Sequence, residues 1–197
     1  MTEFGNLLLR LLLPLLLLVT SAAPAPSQTN LNVRPDEGLL IDDSWHYVGE
    51  LTGGVTFAVP KDCESSELRP EEKAAGILLL YWGEDFTLQL RVFEPAALTY
   101  EQFRQRISGE PTAEVRVRMS GRTEILSYRN TRPNANSELY GIVLTGLDGR
   151  LYKISLFTGS SECFAPDAPV WKIAEIVEQT AGIRDFSEWG LTADPEE

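Results

Sequence analysis

The chain has 197 residues, the length of one ordinary domain, and its 43% hydrophobic and 23% charged content is that of a packed globular protein. A formal net charge of −12 excludes a general nucleic-acid binder, which needs a basic surface to neutralise phosphates. One His and two Cys leave little material for a transition-metal site, no catalytic motif is present, and no cofactor is expected.

The N-terminus has the layout of a secretory signal. Arg10 is the only side-chain cation of the head, Leu11–Val19 is apolar apart from Pro14, and the small residues Thr20-Ser21-Ala22-Ala23 follow. Residues 11–23 supply about 13 apolar positions where a membrane span needs roughly 20. Extending the run back to Leu7 would bury Arg10, so cleavage is expected rather than anchoring. Thr20-Ser21-Ala22 is the better local fit for the cut, because Ala23 and Ala25 are each followed by Pro. The expected organisation is a signal peptide over 1–25, a flexible linker over 26–43, a single domain over 44–190 and an acidic tail over 191–197. Export places the protein in a periplasmic or extracellular compartment, with no membrane span left after cleavage. There Cys63 and Cys163 are expected to pair; two buried thiols or one reactive thiol are the other readings. Closing the loop between them would stabilise the fold by about 4–5 kcal/mol on chain-entropy grounds.

From Trp45 the pattern is mostly of period two. Trp45–Leu51 and Val55–Val59 flank Gly53-Gly54, a hairpin signal. Gly76–Trp82 is a continuous apolar run, predicting a strand buried on both faces. In Phe86–Phe93, Phe86, Leu88, Leu90 and Val92 alternate with Thr87, Gln89 and Arg91. Thr99 followed by Gln102 predicts a capping box, with Leu98 and Phe103 as a hydrophobic staple and Gly109 ending the helix. Ala113–Met119, Thr123–Tyr128, Leu139–Thr145 and Leu151–Thr158 predict four further strands joined by turns at Ser120-Gly121 and Asp148-Gly149. Asp167 is the expected N-cap of a last helix whose Val170, Ile173, Ala174 and Val177 form a stripe of helical period, with Gly182 closing it. Phe186 and Trp189 are expected to pack back on the body. The fold class is therefore α+β: an antiparallel sheet of about six to seven strands covered by two main helices, one on each face.

This order resembles the PsbP-like α/β/α sandwich, which also includes DcrB-like envelope proteins. The likeness rests on Gly54-Val55-Thr56-Phe57-Ala58-Val59-Pro60 as the first strand, on Phe86–Gly109, and on Gly149–Phe157 followed by the helix around Trp171–Glu178. The resemblance implies a non-enzymatic protein that docks onto a complex or a ligand, and it carries over no catalytic residues.

The side chains capable of chemistry are few. His46 is the only imidazole any acid–base mechanism could use, and an envelope hydrolase working through it is the alternative from a different class. Asp42-Asp43, Glu71-Glu72 and Glu84-Asp85 are acidic pairs that could hold calcium in a structural role, yet none has EF-hand spacing, so solvated turns are expected and no metal is assigned. The aromatics Tyr81, Trp82, Tyr128 and Tyr140 are expected in the packing rather than in a groove. Charge, by contrast, is unevenly placed: Phe86–Arg132 holds eight arginines against five glutamates. Arg91, Arg116, Arg118 and Arg122 are the candidate binding residues, for a protein partner or a small anionic ligand. Cross-strand pairing with Glu114 and Glu124 is the competing explanation. Oligomeric state has no signature in the sequence.

Overall fold

The computed structural model describes residues 42–132, 137–159, 165 and 167–189; the expected signal segment, nearly all of the linker, Cys163 and the acidic tail lie outside them. Among the described residues ten strands and three helices follow in chain order: β1 (Trp45–Glu50), β2 (Val55–Pro60), β3 (Glu64–Ser65), α1 (Pro70–Ala74), β4 (Ile77–Trp82), β5 (Phe86–Phe93), α2 (Tyr100–Ser108), β6 (Ala113–Ser120), β7 (Thr123–Asn130), β8 (Glu138–Thr145), β9 (Leu151–Thr158), α3 (Pro169–Thr180) and β10 (Gly182–Ile183), before a 3-10 turn at Phe186–Trp189. Seven strands form one antiparallel sheet in the order β3-β4-β5-β9-β8-β7-β6, and β1-β2-β10 form a second, smaller one.

Period-two alternation decides what each face of the large sheet buries. On the first face, Leu88, Leu90, Ile125, Ile142, Leu144, Ile154 and Leu156 pack against Val48, Val55, Phe57 and Val59 of the small sheet and Val170, Ala174 and Val177 of α3. On the second face, Leu126, Tyr128, Val143 and Leu151 meet Leu98, Phe103 and Ile107 around α2. Each fully buried Leu, Ile or Phe contributes about 1.5–3 kcal/mol. The layers are thus α3 with the small sheet, the large sheet, and α2, with helices on both faces.

The α2 start is built as its sequence predicts. Gln102 N–H donates to Thr99 Oγ1 at 3.3 Å, and Thr99 N–H donates to Gln102 Oε1 at 3.0 Å. The α3 start is not. Its N-cap is Ala168, extended at φ −62°, ψ 140°, without a side-chain cap, because Pro169 at the first helical position pushes the preceding residue out of the helical region. The helix ends at Thr180 with Ala181 as its C-cap, and Gly182 instead opens β10 and pairs with Thr56. The turn at Gly53-Gly54 is a four-residue loop, with Glu50 opposite Val55. The buried Glu50 carboxylate organises it by accepting the N–H groups of Thr52 at 3.0 Å and Gly53 at 2.6 Å. The apolar run of β4 buries Leu79, Leu80 and Tyr81 on its two faces, but Trp82, where the strand ends, is 51% exposed.

Candidate functional site

Strand β6 runs along one edge of the large sheet, next to β7 alone. Thr131 N–H donates to Thr112 O across the same register that pairs Ala113 with Asn130. Antiparallel ladders alternate hydrogen-bonded and non-hydrogen-bonded pairs, so the backbone groups pointing away from β7 belong to Ala113, Val115, Val117 and Met119. On the α2 side of this edge Val117 is 45% and Met119 60% exposed. On the other side Glu114, Arg116 and Arg118 face α3 across a cleft of about 540 Å³, which Arg129, Tyr140, Trp171, Glu175 and Glu178 also line.

The cleft is held together at its floor. Arg118 extends a guanidinium under the end of α3 and donates to the carbonyls of Glu178 and Ala181, the latter at 2.6 Å. These are the orphan acceptors of a helix C-terminus, where a cation is also favoured by the helix dipole. Burial pulls the Arg118 pKa down, against the opposing charge of Glu178. The two oxygens of Glu178 accept from the hydroxyls of Ser127, at 2.6 Å, and Tyr140. Burial, then the bond to Glu178, pushes the Tyr140 phenol upward. At the mouth the Arg129 guanidinium stacks 3.8 Å from the centre of the Trp171 ring, whose indole N–H donates to Ala165 O at 2.9 Å. Arg116 is exposed and has no ion pair among the described residues.

The four candidate arginines do not form one surface. Arg116 and Arg118 share the α3 face; Arg122 sits in the turn after β6; Arg91, on β5, lies on the opposite face of the sheet under α2. Glu124 stands opposite Met119 and so faces away from Arg118. It accepts from Tyr100 Oη at 2.9 Å and pairs with Arg104 of α2 at 3.1 Å. The strand arginines are therefore not neutralised by Glu124, and among the described residues no ion pair joins them to Glu114. Tyr140, expected in the packing rather than in a groove, is buried and also lines the cleft, where Ser127, Trp171 and Glu178 join it; of these only Trp171 carries a sequence signal, standing beside Val170 of the α3 stripe.

The other candidates have structural surroundings. His46 packs edge-on against Tyr81 with centroids 6.5 Å apart, and burial followed by the Lys61 charge lowers its pKa. Asp42 accepts from Ser44 N–H at 2.9 Å, and Glu72 pairs with Arg69 at 2.7 Å at the head of α1. Among the described residues no three His, Cys, Asp or Glu side chains are grouped to hold a metal, and no helix is long and apolar enough to cross a membrane. Cys63 is a half-buried free thiol; its expected pairing involves Cys163, outside the described residues.

The molecule is an α+β protein built on a seven-stranded antiparallel sheet with helices on both faces and an open edge at β6. No family model and no curated protein matches the chain. Among solved structures it is similar to the solution structure of cyanobacterial PsbP (CyanoP) from Synechocystis sp. PCC 6803, at 15% identity and a TM-score of 0.48, over 77% of this chain and 99% of that one. That likeness is one of fold.

Proposed function

We propose that the chain is an exported, non-catalytic docking module of the cell envelope or extracellular space, and that it takes an extended segment of a partner protein along β6. The leucine-rich N-terminal run with its small-residue exit supports export. One observation supports the edge above others: an eight-residue edge strand offers unpaired backbone groups between two exposed apolar side chains and a free arginine. Such edges are normally covered or blunted, and strand addition is the way a partner covers one. Charge complementarity sets the partner's pattern. Residues facing Arg116 should be acidic, and alternate residues should be apolar to meet Val117 and Met119. Ser127, whose hydroxyl donates to Glu178, is 2% exposed at the cleft floor, which supports a structural role for that pair.

The test is capture from the native envelope fraction by three tagged proteins: the parent, Val117→Pro and Arg116→Glu. Proline at 117 deletes an N–H that points away from β7 and leaves the β6–β7 ladder intact. The expected result is a stoichiometric partner that cross-links to β6, is lost with Val117→Pro, and is weakened by Arg116→Glu and by salt. A partner recovered equally by all three would overturn the assignment of the edge. Self-association through β6, seen by sedimentation and abolished by Val117→Pro, would replace the partner with a second copy.

A further inference from the structure

On the opposite face of the sheet, α2 roofs a pocket of about 430 Å³, within the size range of small-molecule sites. Its walls are apolar: Phe93, Leu98, Phe103 and Ile107. Its floor is polar. Lys153 Nζ lies 2.9 Å from the Glu138 carboxylate, which also accepts from Tyr128 Oη at 2.6 Å. Gly141 makes this possible, because a Cβ there would stand 2.3 Å from the Tyr128 ring. The acid of the floor is thus engaged through Oε2, while Glu138 Oε1 lies 2.9 Å from Lys153 Nζ and accepts no hydrogen bond. Beyond Lys153, the cations are unpaired: Arg91 lies over the Phe93 ring at 4.7 Å with a buried Nε that has no hydrogen-bond partner. Neither Arg91 nor Arg106, on the α2 wall, has an ion pair among the described residues, and Glu110 at the rim reaches neither.

A buried guanidinium N–H without an acceptor is costly, and a fork of N–H donors beside an aromatic wall is the geometry that receives an oxyanion. We propose that this pocket binds a small organic anion with an apolar body, its acidic group on Arg91 and Arg106 and its body between Phe93, Leu98, Phe103 and Ile107. This site is independent of the β6 edge and stands whether or not that edge docks a protein.

The experiment is an amide NMR titration of the mature protein with 4-phenylbutyrate and, separately, with its neutral amide. The acid should shift the amides of α2, Arg91 and Lys153 at millimolar concentration, and the neutral amide should bind at least about tenfold more weakly. Arg91→Leu should weaken the acid by about tenfold or more, and Arg116→Glu should leave it unchanged. Arg106→Ala, at the solvent-exposed rim of the pocket, serves as the second variant because it leaves the sheet untouched; it should weaken the acid by about threefold or more. Absence of shifts, equal binding of acid and amide, or undiminished affinity in the folded arginine variants would overturn the proposal.

Discussion

Arg116 and Arg118 stand two positions apart on the same face of β6 and do different work. Arg118 is a part of the fold, its guanidinium satisfying two carbonyls at the end of α3, whereas Arg116 is free at the rim. Arg118→Ala should therefore cost about 1.5–3 kcal/mol in urea unfolding, and Arg116→Ala no more than about 0.5 kcal/mol. Equal effects would contradict this division. Alternation in the sequence places both side chains on one face, but which of them meets α3 depends on carbonyls 60 and 63 residues away. A second expectation concerns Cys63, whose thiol burial and the neighbouring Asp62 push up to about 11. In the reduced protein, alkylation at neutral pH should run about 100-fold slower than for an ordinary exposed cysteine. A thiol that reacts only after reductant is added would show that Cys63 is held in a disulfide, and non-reducing peptide mapping would then identify Cys163 as its partner. Asp148 provides the pH test. Burial raises its pKa, but the Arg150 N–H at 3.0 Å, the Arg150 guanidinium and the Tyr152 hydroxyl at 2.8 Å bring it below the usual value. A depressed carboxyl stabilises the fold fully above its unfolded value near 3.9 and loses that contribution as pH falls through the folded value. Asp148→Asn should lower the urea midpoint at neutral pH and flatten its decline in acid. An unchanged acid slope would mean that the carboxylate contributes nothing.

Among the elements, those with local signals were legible and those defined by distant partners were not. The α2 start carries its own cap in Thr99 and Gln102, and β5 and β6 alternate without ambiguity, whereas β7 and β8 are buried on both faces. The two-residue strands β3 and β10 have no pattern of their own and exist through β4 and β2. The one-turn α1, led by Arg69 and Pro70, is too short for periodicity to show. The turns separate along similar lines. Gly54 has φ +69° and a Cβ there would lie 2.4 Å from Arg184 O, whereas Gly121 has φ +59° with open space around it. Gly121→Ala should cost about 1–2 kcal/mol from backbone conformation alone. Gly54→Ala should cost more, because the C-terminal segment must also move, and the two thermal midpoints measured side by side would show the order. The α3 cleft was half-visible: its arginines stand out in the sequence, while Trp171, Tyr140 and Glu178 read as core or solvated helix until packing brings them together.

At the scale of the molecule, the charge of −12 and the arginine-rich β5–β7 region coexist because the arginines are divided between two faces, each with its own hollow. The α/β/α layering followed from strands joined by short turns and from helices spaced to cover both sides. The separation of β1 and β2 into a second sheet did not, since hairpin signals say which strands pair but not which sheet they join. That small sheet depends on the far end of the chain. Arg184 N–H donates to Gly54 O at 2.8 Å, and Ala58 N–H donates to Thr180 Oγ1 at 2.9 Å. Deleting residues after Ala181 should remove β10 and the buried Phe186, and cooperative thermal unfolding should be lost or shifted down by several degrees.

The closure of β2 by β10 has a consequence in time. Ala58 and Thr180 are 122 residues apart, so a polypeptide delivered N-terminus first presents the β1–β2 hairpin long before its covering helix and third strand arrive. During that interval Val55, Phe57 and Val59 lack the α3 part of their cover, Val170, Ala174 and Val177. The chain should then fold slowly for its size, with refolding in vitro limited by this late docking step.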